Sequence, residues 1–336
     1  MEKKMKMKIS MLLAFCLGSI AFGQGSLTPP AGTPAPTMKT LDEIDQSVIN
    51  VTTTVKTTEP RTPLIDGSPG VAIFSSGTIR ITQSGSYYLT TNLTVSSSSG
   101  IQILASGVTL DLNGFTIRST SATASGSGIL IQGSNVSIFN GHIVSGTTYN
   151  SGASGNQYTG PGFQNGIYAI DTYSNIRICD VFVSGCKFSG IYIKSKASLV
   201  ESCIVQTVGS MGIQAGVVNS CSAITCGLIA IYGIQVTDSR GASVGSFGIY
   251  SEGTVANSYG YTSSTSIFSD GIQAVEAVQN SYGYSKGGDG IRARIVSYSS
   301  GRSDGSALGT DGIQATIAIG CIAEGGEHIT HKYLMP

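Results

Sequence analysis

The feature that most constrains the fold is a dipeptide, Gly-Ile, which recurs along most of the chain and each time opens a short alternating segment. Its glycines are Gly100, Gly128, Gly166, Gly190, Gly212, Gly233, Gly248, Gly271, Gly290 and Gly312. The successive intervals are 28, 38, 24, 22, 21, 15, 23, 19 and 22 residues, which centre in the low twenties. A period of this size is typical of a solenoid, in which each repeat forms one coil.

A second recurring segment runs in step with the first. Its clearest copies are Val217–Cys221, Val255–Tyr259 and Val278–Tyr282. In a parallel β-helix each coil adds a strand about 4.8 Å above the last, so columns of Ile and Val build a continuous core. Corner glycines are expected to relieve backbone strain, and stacked Asn side chains to bond between coils. The pattern predicts an all-β fold, one parallel β-helix of ten to twelve coils over residues 71–325.

Two other folds fit the repeat less well. A leucine-rich repeat has a similar period but needs leucine at several fixed positions, and leucine is scarce in this chain. A β-sandwich would need hairpin signals between its strands rather than phased Gly-Ile units.

The N-terminal residues read as an export signal, followed by an arm. Four lysines up to Lys8 precede an apolar stretch from Ile9 to Phe22, and small residues near Gly23 predict cleavage there, so residues 1–23 form the signal. Residues 24–70, rich in Pro and Thr, predict an extended arm with one helical turn at Met38–Gln46. Residues 326–336 form a C-terminal tail. No later segment reaches ~20 unbroken apolar residues, so we expect an exported chain without a membrane span.

Charge and cysteine content narrow the possible partners. Only 11% of residues are charged, and without the signal 15 basic and 18 acidic side chains leave a net charge of −3. The sequence contains no stripe of basic residues, which a nucleic-acid partner would need. The mature cysteines are Cys179, Cys186, Cys203, Cys221, Cys226 and Cys321. Disulfides are possible in an exported chain, but four of the six, all except Cys186 and Cys226, fall in one repeat column, which favours stacked core thiols.

The first repeats carry a specific resemblance. Gly85–Val95 and Gly107–Ile117 alternate strongly, and Val136–Ile143 echoes the second of them. Over residues 65 to 325 the chain resembles the exported bacterial right-handed β-helix proteins of the pectin-lyase-like superfamily, in a branch of unassigned function. The resemblance implies a single-stranded right-handed parallel β-helix. It leaves function open, because this fold hosts lyases, hydrolases, epimerases, tailspikes and adhesins.

Three aspartates are the best arrangement of acidic residues. Asp270, Asp289 and Asp311 each stand directly before a Gly-Ile, so adjacent coils should place them in a line along one side of the solenoid. Three like charges at ~5 Å spacing repel unless they are solvated or bridged by a cation, which makes a Ca²⁺ site conceivable. Arg292 and Arg294, on the intervening strand, could supply a lyase with a base or a partner for a uronate, although salt bridges to the same aspartates are the simpler use. The alternative is that Asp before Gly is ordinary turn chemistry.

His142 is the remaining catalytic candidate. Gly141-His142-Ile143 echoes one element of the polygalacturonase-type hydrolases, but the paired carboxylates that glycoside hydrolysis needs have no Asp-Asp counterpart in this sequence. A surface position after the Asn-Gly turn is the simpler expectation.

Tyrosines recur at one-coil spacing. Tyr259 and Tyr261 return as Tyr282 and Tyr284. Facing outward they would form a sugar-stacking platform, and facing inward they would be core; the sequence leaves the direction open. The long segment Gly146–Gln164 has the length of a ligand-binding loop.

Together these features favour an exported protein that binds polysaccharide or a cell-surface glycan and has no convincing active site. One alternative is a polysaccharide lyase acting by β-elimination, or less plausibly a glycoside hydrolase. The other is a structural surface or adhesin module, which needs only the repeat. Ca²⁺ is the single cofactor that the residues suggest.

Overall fold

The structure is a computed structural model that describes residues 45, 59–152, 155–306 and 309–333. The predicted export signal, most of the arm and the last three residues lie outside the described residues. Pro60–Pro336 forms one compact unit. Its described part contains strands and turns and no helix, so the all-β fold class is confirmed.

The described residues form 32 strands, numbered in chain order. They are β1 (Thr62–Pro63), β2 (Val71–Ile73), β3 (Ile79–Ile81), β4 (Gly85–Tyr88), β5 (Leu93–Val95), β6 (Ile101–Ile103), β7 (Val108–Asp111), β8 (Thr116–Ser119), β9 (Ser127–Ile131), β10 (Val136–Val144), β11 (Thr148–Gly152), β12 (Gly155–Thr159), β13 (Asn165–Ala169), β14 (Ile176–Ser184), β15 (Ile191–Ile193), β16 (Ser198–Glu201), β17 (Ile204–Val208), β18 (Ile213–Gln214), β19 (Val217–Asn219), β20 (Ser222–Cys226), β21 (Ile231–Thr237), β22 (Arg240–Ser243), β23 (Ile249–Ala256), β24 (Tyr259–Thr262), β25 (Ile272–Ala274), β26 (Ala277–Gln279), β27 (Tyr282–Ser285), β28 (Ile291–Ser297), β29 (Ser300–Ser303), β30 (Ile313–Ile319), β31 (Ile322–Glu324) and β32 (Glu327–Tyr333).

Most strands stack into three parallel sheets, one for each side of the coil. The exceptions are β2, which pairs antiparallel with β3, and the antiparallel pair of β11 and β12. Sheet 1 runs through β3, β6, β9, β13, β15, β18, β21, β23, β25, β28, β30 and β32. Sheet 2 begins at β1 and ends in the second half of β32, and sheet 3 runs from β5 to β31. Sheet 1 has one strand per coil, so its twelve strands confirm a parallel β-helix of about twelve coils.

The core is a set of columns of branched aliphatic side chains. Ile101, Ile129, Ile167, Ile191 and Ile213 follow one another in register along sheet 1 and have no exposed surface. Each Ile is the second residue of a Gly-Ile pair, which explains why that dipeptide marks the repeat.

The glycines of the Gly-Ile pairs serve close packing, whereas glycines at other corners, such as Gly107 and Gly320, take the left-handed conformation that relieves backbone strain. None of the nine that open a sheet 1 strand has a positive φ. A Cβ on Gly166 would lie 2.4 Å from Val183 Cγ1 and 2.5 Å from the Gly190 carbonyl oxygen. Gly233 falls out of this column, because Ala230 holds the equivalent position before Ile231.

The interior narrows along most of the axis, because the inward residue of sheet 3 changes from leucine and isoleucine in the early coils to glycine in later ones. Leu93 begins this column and Ala323 ends it. In register order the residues between them are Ile117, Ile143, Val183, Val205, Ala223, Gly241, Gly260, Gly283, Gly301. A Cβ on Gly260 would lie 2.2 Å from the Gly271 carbonyl oxygen and 2.4 Å from Ile272 Cγ1. Sheets 1 and 3 therefore approach closely in the C-terminal coils.

A column of small hydrogen-bonding residues closes the turn between sheets 2 and 3. Its members are Cys203, Cys221, Ser239, Ser258, Ser281, Ser299 and Cys321. Each hydroxyl or thiol donates to the carbonyl oxygen two residues earlier. From Ser239 to Ser299 each Oγ also accepts the backbone N–H of its counterpart one coil before, as Ser258 Oγ does from Ser239 at 3.2 Å. We call this column the turn ladder.

Cys179 does not belong to the turn ladder, so the prediction that it stacks with Cys203 and Cys221 is wrong. Cys179 lies opposite Glu201 in the register, and Val181 takes the ladder position. The left-handed residue of this turn, Asp180 with φ 53°, follows Cys179, whereas Ser202 precedes Cys203. Cys179 is therefore partly exposed, while Cys203 and Cys221 are buried. All six described cysteines are free thiols.

Candidate functional site

The recurrent tyrosines lie on the outer surface of sheet 3. Tyr259 is directly opposite Tyr282 on the next coil, and Tyr261 is opposite Tyr284. The ring centroids are 5.4 Å and 5.2 Å apart, with interplanar angles of 14° and 8°. Gly260, between the first two tyrosines, points inward because successive residues of a strand face opposite sides. The direction that the sequence left open is therefore outward.

Stacking along the axis covers some ring faces and leaves others open. The Arg240 guanidinium lies 5.6 Å from the Tyr259 ring centroid, and Arg302 lies 5.7 Å from that of Tyr284. At the other end of each pair the register neighbour is small, Ala242 beside Tyr261 and Ser300 beside Tyr282. Tyr261 and Tyr282 thus offer the ring faces that a ligand can reach.

A groove of about 730 Å³ follows these tyrosines along the turn between sheets 2 and 3. Its lining includes Asp238, Arg240, Asn257, Tyr259, Asn280, Tyr282 and Tyr298. Asp238, Asn257, Asn280 and Tyr298 hold the left-handed turn position on successive coils. Amide, carboxylate and guanidinium groups stand there beside aromatic rings, a combination that can bind a polyol by hydrogen bonds and stacking. We call this surface the tyrosine groove.

A polar network fixes Tyr284 at the side of these stacked rings. Asp304 accepts hydrogen bonds from Tyr284 Oη at 2.6 Å and from Arg302 Nε at 3.0 Å. The hydrogen bond to Asp304 raises the pKa of Tyr284 to about 12, and burial adds to the shift. The same two donors lower the pKa of Asp304. Tyr284 therefore remains a neutral phenol, held in place by an ionised carboxylate.

The three candidate aspartates lie on successive coils, but two of them point into the core. Asp289 N–H donates to Asp270 Oδ1 at 2.9 Å, and Asp311 N–H donates to Asp289 Oδ1 at 2.8 Å. Asp270 and Asp289 have 0% exposed surface. Ser99 Oγ accepts the Ser127 N–H in the same manner in the early coils. The three aspartates therefore lie in a line on successive coils, as predicted, and the carboxylates of Asp270 and Asp289 complete backbone hydrogen bonds inside the coil.

One arginine pairs with both buried aspartates. Arg292 Nε donates to Asp289 Oδ2 at 2.9 Å and lies 3.2 Å from Asp270 Oδ2. Burial raises the pKa of Asp270 to about 7 and the neighbouring Asp289 adds to the rise, while Arg292 opposes it. Burial also raises the pKa of Asp289. Arg294 instead pairs with Glu276, at 2.7 Å on the surface.

No calcium geometry is evident around these aspartates. Among the described residues, no group of three or more His, Cys, Asp or Glu side chains is arranged to hold a metal ion. The Ca²⁺ site at Asp270, Asp289 and Asp311 stays a prediction, with two of its three carboxylates engaged by Arg292.

His142 lies on the outer surface of sheet 3, several coils before the aspartates. Its register neighbours are Thr116 and Phe182, and its ring meets Phe182 edge to face with centroids 6.0 Å apart. The structure therefore does not bring His142 together with Asp270, Asp289 or Arg294.

Sequence reasoning missed a second set of outward tyrosines, on sheet 1. Tyr168 stacks on Tyr192 and Tyr232 stacks on Tyr250, with centroids 5.5 Å and 5.3 Å apart. The signal was present, because a tyrosine follows the Ile of the repeat at each of these positions. A cleft of about 370 Å³ beside Tyr232 contains the ion pair of Lys196 and Glu252, 2.8 Å apart.

The long segment after Gly146 forms an antiparallel hairpin, β11 and β12, which lies against the solenoid. Tyr149 and Tyr158 face each other across it, with centroids 5.0 Å apart. Tyr158 Oη donates to the Thr225 carbonyl oxygen at 3.0 Å. A Cβ on Gly227 would lie 2.9 Å from Tyr158 Cε2, so that glycine makes room for the ring.

No known family matches the sequence, and no curated protein matches it either. Among solved structures, pectin methylesterase PemA from Erwinia chrysanthemi is similar over 76% of this chain and 84% of its own, at 12% identity and a TM-score of 0.30. That similarity is too loose to transfer residue roles. In the described part of the chain no helix is long and apolar enough to span a bilayer.

Proposed function

We propose that this protein binds a polysaccharide or cell-surface glycan along the tyrosine groove. The observation that supports this most is the outward ring face of Tyr282, which lines the groove and ends the stack of Tyr259 and Tyr282 beside the small Ser300. The ring face of Tyr261 lies on the same surface of sheet 3, outside the groove lining. Sugar rings have apolar faces that pack on aromatic rings, while their hydroxyl groups pair with amide and charged side chains. Asn257, Asn280 and Arg240 supply such partners within the groove.

The repeat suits a polymeric ligand. Neighbouring coils present equivalent side chains at a constant spacing of about 4.8 Å, so a chain of like sugars would meet like contacts along the axis. Asn257 and Asn280 are one such equivalent pair, and Tyr259 and Tyr282 are another. Export of the chain, which the N-terminal residues predict, would bring the groove to extracellular glycans.

Binding without catalysis is favoured over the lyase alternative by the burial of the candidate acids. A base that removes a proton from a sugar must touch it. Asp270 and Asp289 are closed off inside the coil, and the Arg294 guanidinium is held by Glu276. The adhesin alternative needs no groove at all, so glycan binding itself separates the two.

A glycan array followed by affinity measurements on variants tests the proposal. Tyr282→Ala should weaken binding of the best glycan at least tenfold, because the ring face is lost, whereas Tyr282→Phe should retain binding within about threefold. Tyr168→Ala, which removes an outward tyrosine from a stacked pair on sheet 1, is the matched control and should leave the affinity unchanged.

Two outcomes would overturn this function. Equal affinities for Tyr282→Ala and the unaltered protein would remove the groove from the binding site. Unsaturated products from a uronate polymer incubated with the protein would instead establish the lyase.

A further inference from the structure

The inward column of sheet 1 changes its chemistry at the last coil. From β3 to β30 the column has an isoleucine in every coil, and each isoleucine is in register with the next. These eleven residues, all buried, are Ile79, Ile101, Ile129, Ile167, Ile191, Ile213, Ile231, Ile249, Ile272, Ile291 and Ile313. The register partner of Ile313 on β32 is Glu327. A carboxylate therefore takes the place of the isoleucine of the repeat.

The inward column of sheet 2 changes in the same way. From Leu110 onward it is aliphatic and buried, and its later members are Ile138, Ile178, Val200, Val218, Val236, Val255, Val278, Val296 and Ala318. Lys332 is the register partner of Ala318. Successive residues of a strand face opposite sides, so Lys332 takes the inward position between His331 and Tyr333. Both inward columns thus end in a charged residue on the same strand.

The two charges pair across the end of the core. Lys332 Nζ donates to the two carboxylate oxygens of Glu327 at 2.8 Å and 2.7 Å. Their side chains are 37% and 44% exposed, so the ion pair keeps contact with water. Ile329, the inward residue between them, is half-buried and packs against the core. We call Glu327 and Lys332 the charged cap.

The charged cap lies on a strand with an open edge. Within the parts of the chain that the structure describes, β32 pairs with β30 and with no further strand. At the opposite end of sheet 1, β2 covers β3 in antiparallel pairing. An open edge is a template on which another chain can add a strand. The partner with the same free edge is a second copy of this chain, joined through β32 about a two-fold axis in a closed dimer.

We propose that the charged cap prevents this chain from joining end to end with a second copy of itself. If the two β32 strands paired, the two caps would face each other and four charges would leave water. The loss of hydration of buried charges can exceed their mutual attraction, even where each finds a partner. Inward-pointing charges are one of the means by which sheet edges resist pairing. This role does not depend on glycan binding in the tyrosine groove.

Sedimentation equilibrium of the full chain tests the proposal. Glu327→Ile combined with Lys332→Val continues both apolar columns to the open end. The dissociation constant of the dimer should fall at least about 100-fold relative to the unaltered chain, because an exposed apolar patch now ends the core. The unaltered chain should sediment as a monomer, and circular dichroism should show the same strand signal for both proteins.

Two matched variants separate the ion pair from its surroundings. Glu327→Lys combined with Lys332→Glu reverses the charges, retains the pair and should remain monomeric. His328→Ile combined with His331→Val makes the same number of polar-to-apolar changes on the same strand, but at outward positions. This variant should also remain monomeric, because its new side chains do not extend the core.

A milder variant covers the case in which the Ile and Val substitutions cause precipitation. Glu327→Ala combined with Lys332→Ala removes both charges, exposes less apolar surface and should still lower the dissociation constant at least about tenfold. Monomers of the uncharged variants would overturn the proposal. So would equally tight association of the unaltered chain, of the charge-reversed variant or of the histidine control.

Discussion

The carboxyl group of Asp270 lies inside the coil, where water cannot reach it. Its folded pKa of about 7 lies well above its value in an unfolded chain, chiefly because burial penalises the charged form. A raised folded pKa means that the folded state binds the proton more tightly. The contribution to stability is therefore complete below pH 4 and is lost as pH rises through 7.

Asp270→Asn should remove this pH dependence. Asparagine keeps an oxygen for the Asp289 N–H but cannot ionise. Between pH 5 and pH 8 the unaltered protein should lose about 2–3 kcal/mol more unfolding free energy than the variant. Urea unfolding at the two pH values measures both. Parallel losses in the two proteins would show that Asp270 is already ionised at pH 5.

Burial of Asp270 could not be deduced from its sequence position. Asp before Gly-Ile predicts a turn, and the turn is present. The residues at the equivalent position of other coils are chemically mixed, however. They are Ser99 and Ser127 in early coils and Phe247 in the coil before that of Asp270. Only the three-dimensional register shows that this column faces inward. The salt bridge between Arg292 and these aspartates could be predicted, because Arg292 follows Asp289 by three residues.

Single elements of the solenoid depend on the turn ladder. Ser258 Oγ donates to the Ala256 carbonyl oxygen at 2.7 Å and accepts the Ser239 N–H. Ser258→Ala should cost about 1–3 kcal/mol, because the Ser239 N–H loses its acceptor in a buried turn. The Ala256 carbonyl oxygen retains the hydrogen bond from the Asp238 N–H at 3.1 Å. Ser258→Cys should cost less, since Cys221 already fills the same role earlier in the ladder.

Chemical denaturation of both Ser258 variants measures this difference. Ser266→Ala, in the exposed loop before Asp270, is the control and should change stability by less than about 0.5 kcal/mol. If Ser258→Ala were as stable as Ser266→Ala, the ladder hydrogen bonds would not contribute.

The inward glycines of sheet 3 should tolerate no larger side chain. A Cβ on Gly283 would lie 2.1 Å from the Gly290 carbonyl oxygen and 2.6 Å from Ile291 Cγ1. Gly283→Ala should therefore destabilise the fold by about 3 kcal/mol, the upper part of the usual range for overpacking. Gly152→Ala, where nothing lies within 4 Å, should be nearly neutral. Thermal unfolding compares them, and similar melting temperatures would mean that the two sheets can separate without cost.

The sequence patterns predicted the existence of the strands better than they predicted which residue holds each register position. The Gly-Ile pairs located most sheet 1 strands, but Gly233 misled because Ala230 replaces glycine at the true corner. Ala230 shows that the column requires a small residue rather than a particular backbone conformation. The predicted position of Cys179 was wrong for a similar reason. The left-handed residue of its turn follows Cys179, whereas in the later coils it precedes the cysteine or serine of the turn ladder.

At the scale of the whole molecule, equivalent coils should be removable. Deleting Arg240–Ser258 joins Ser239 to Tyr259, which takes the register position of Arg240, so every later column remains in phase. We expect this deletion to keep the strand signal in circular dichroism and a cooperative melt at lower temperature, since each coil contacts only its neighbours.

The control is a deletion that is one residue longer and spans Arg240–Tyr259. It places Gly260 at an outward position and so reverses the two faces of the following strand. This variant should fail to fold cooperatively. Equal behaviour of the two deletions would mean that the register is not what holds the coils together.

The graded interior of sheet 3 gives the rod a direction. Leucine and isoleucine fill its first coils, valine and alanine the middle, and glycine four of the last five, with Ala323 at the end. A coil therefore fits only beside coils of nearly its own width. A duplicated coil can be accommodated next to its parent but not at the far end, where it would leave a void or a clash. Lengthening of such a chain over evolutionary time is thereby confined to tandem copying of neighbours, and the order of the coils becomes as much a constraint on the sequence as their number.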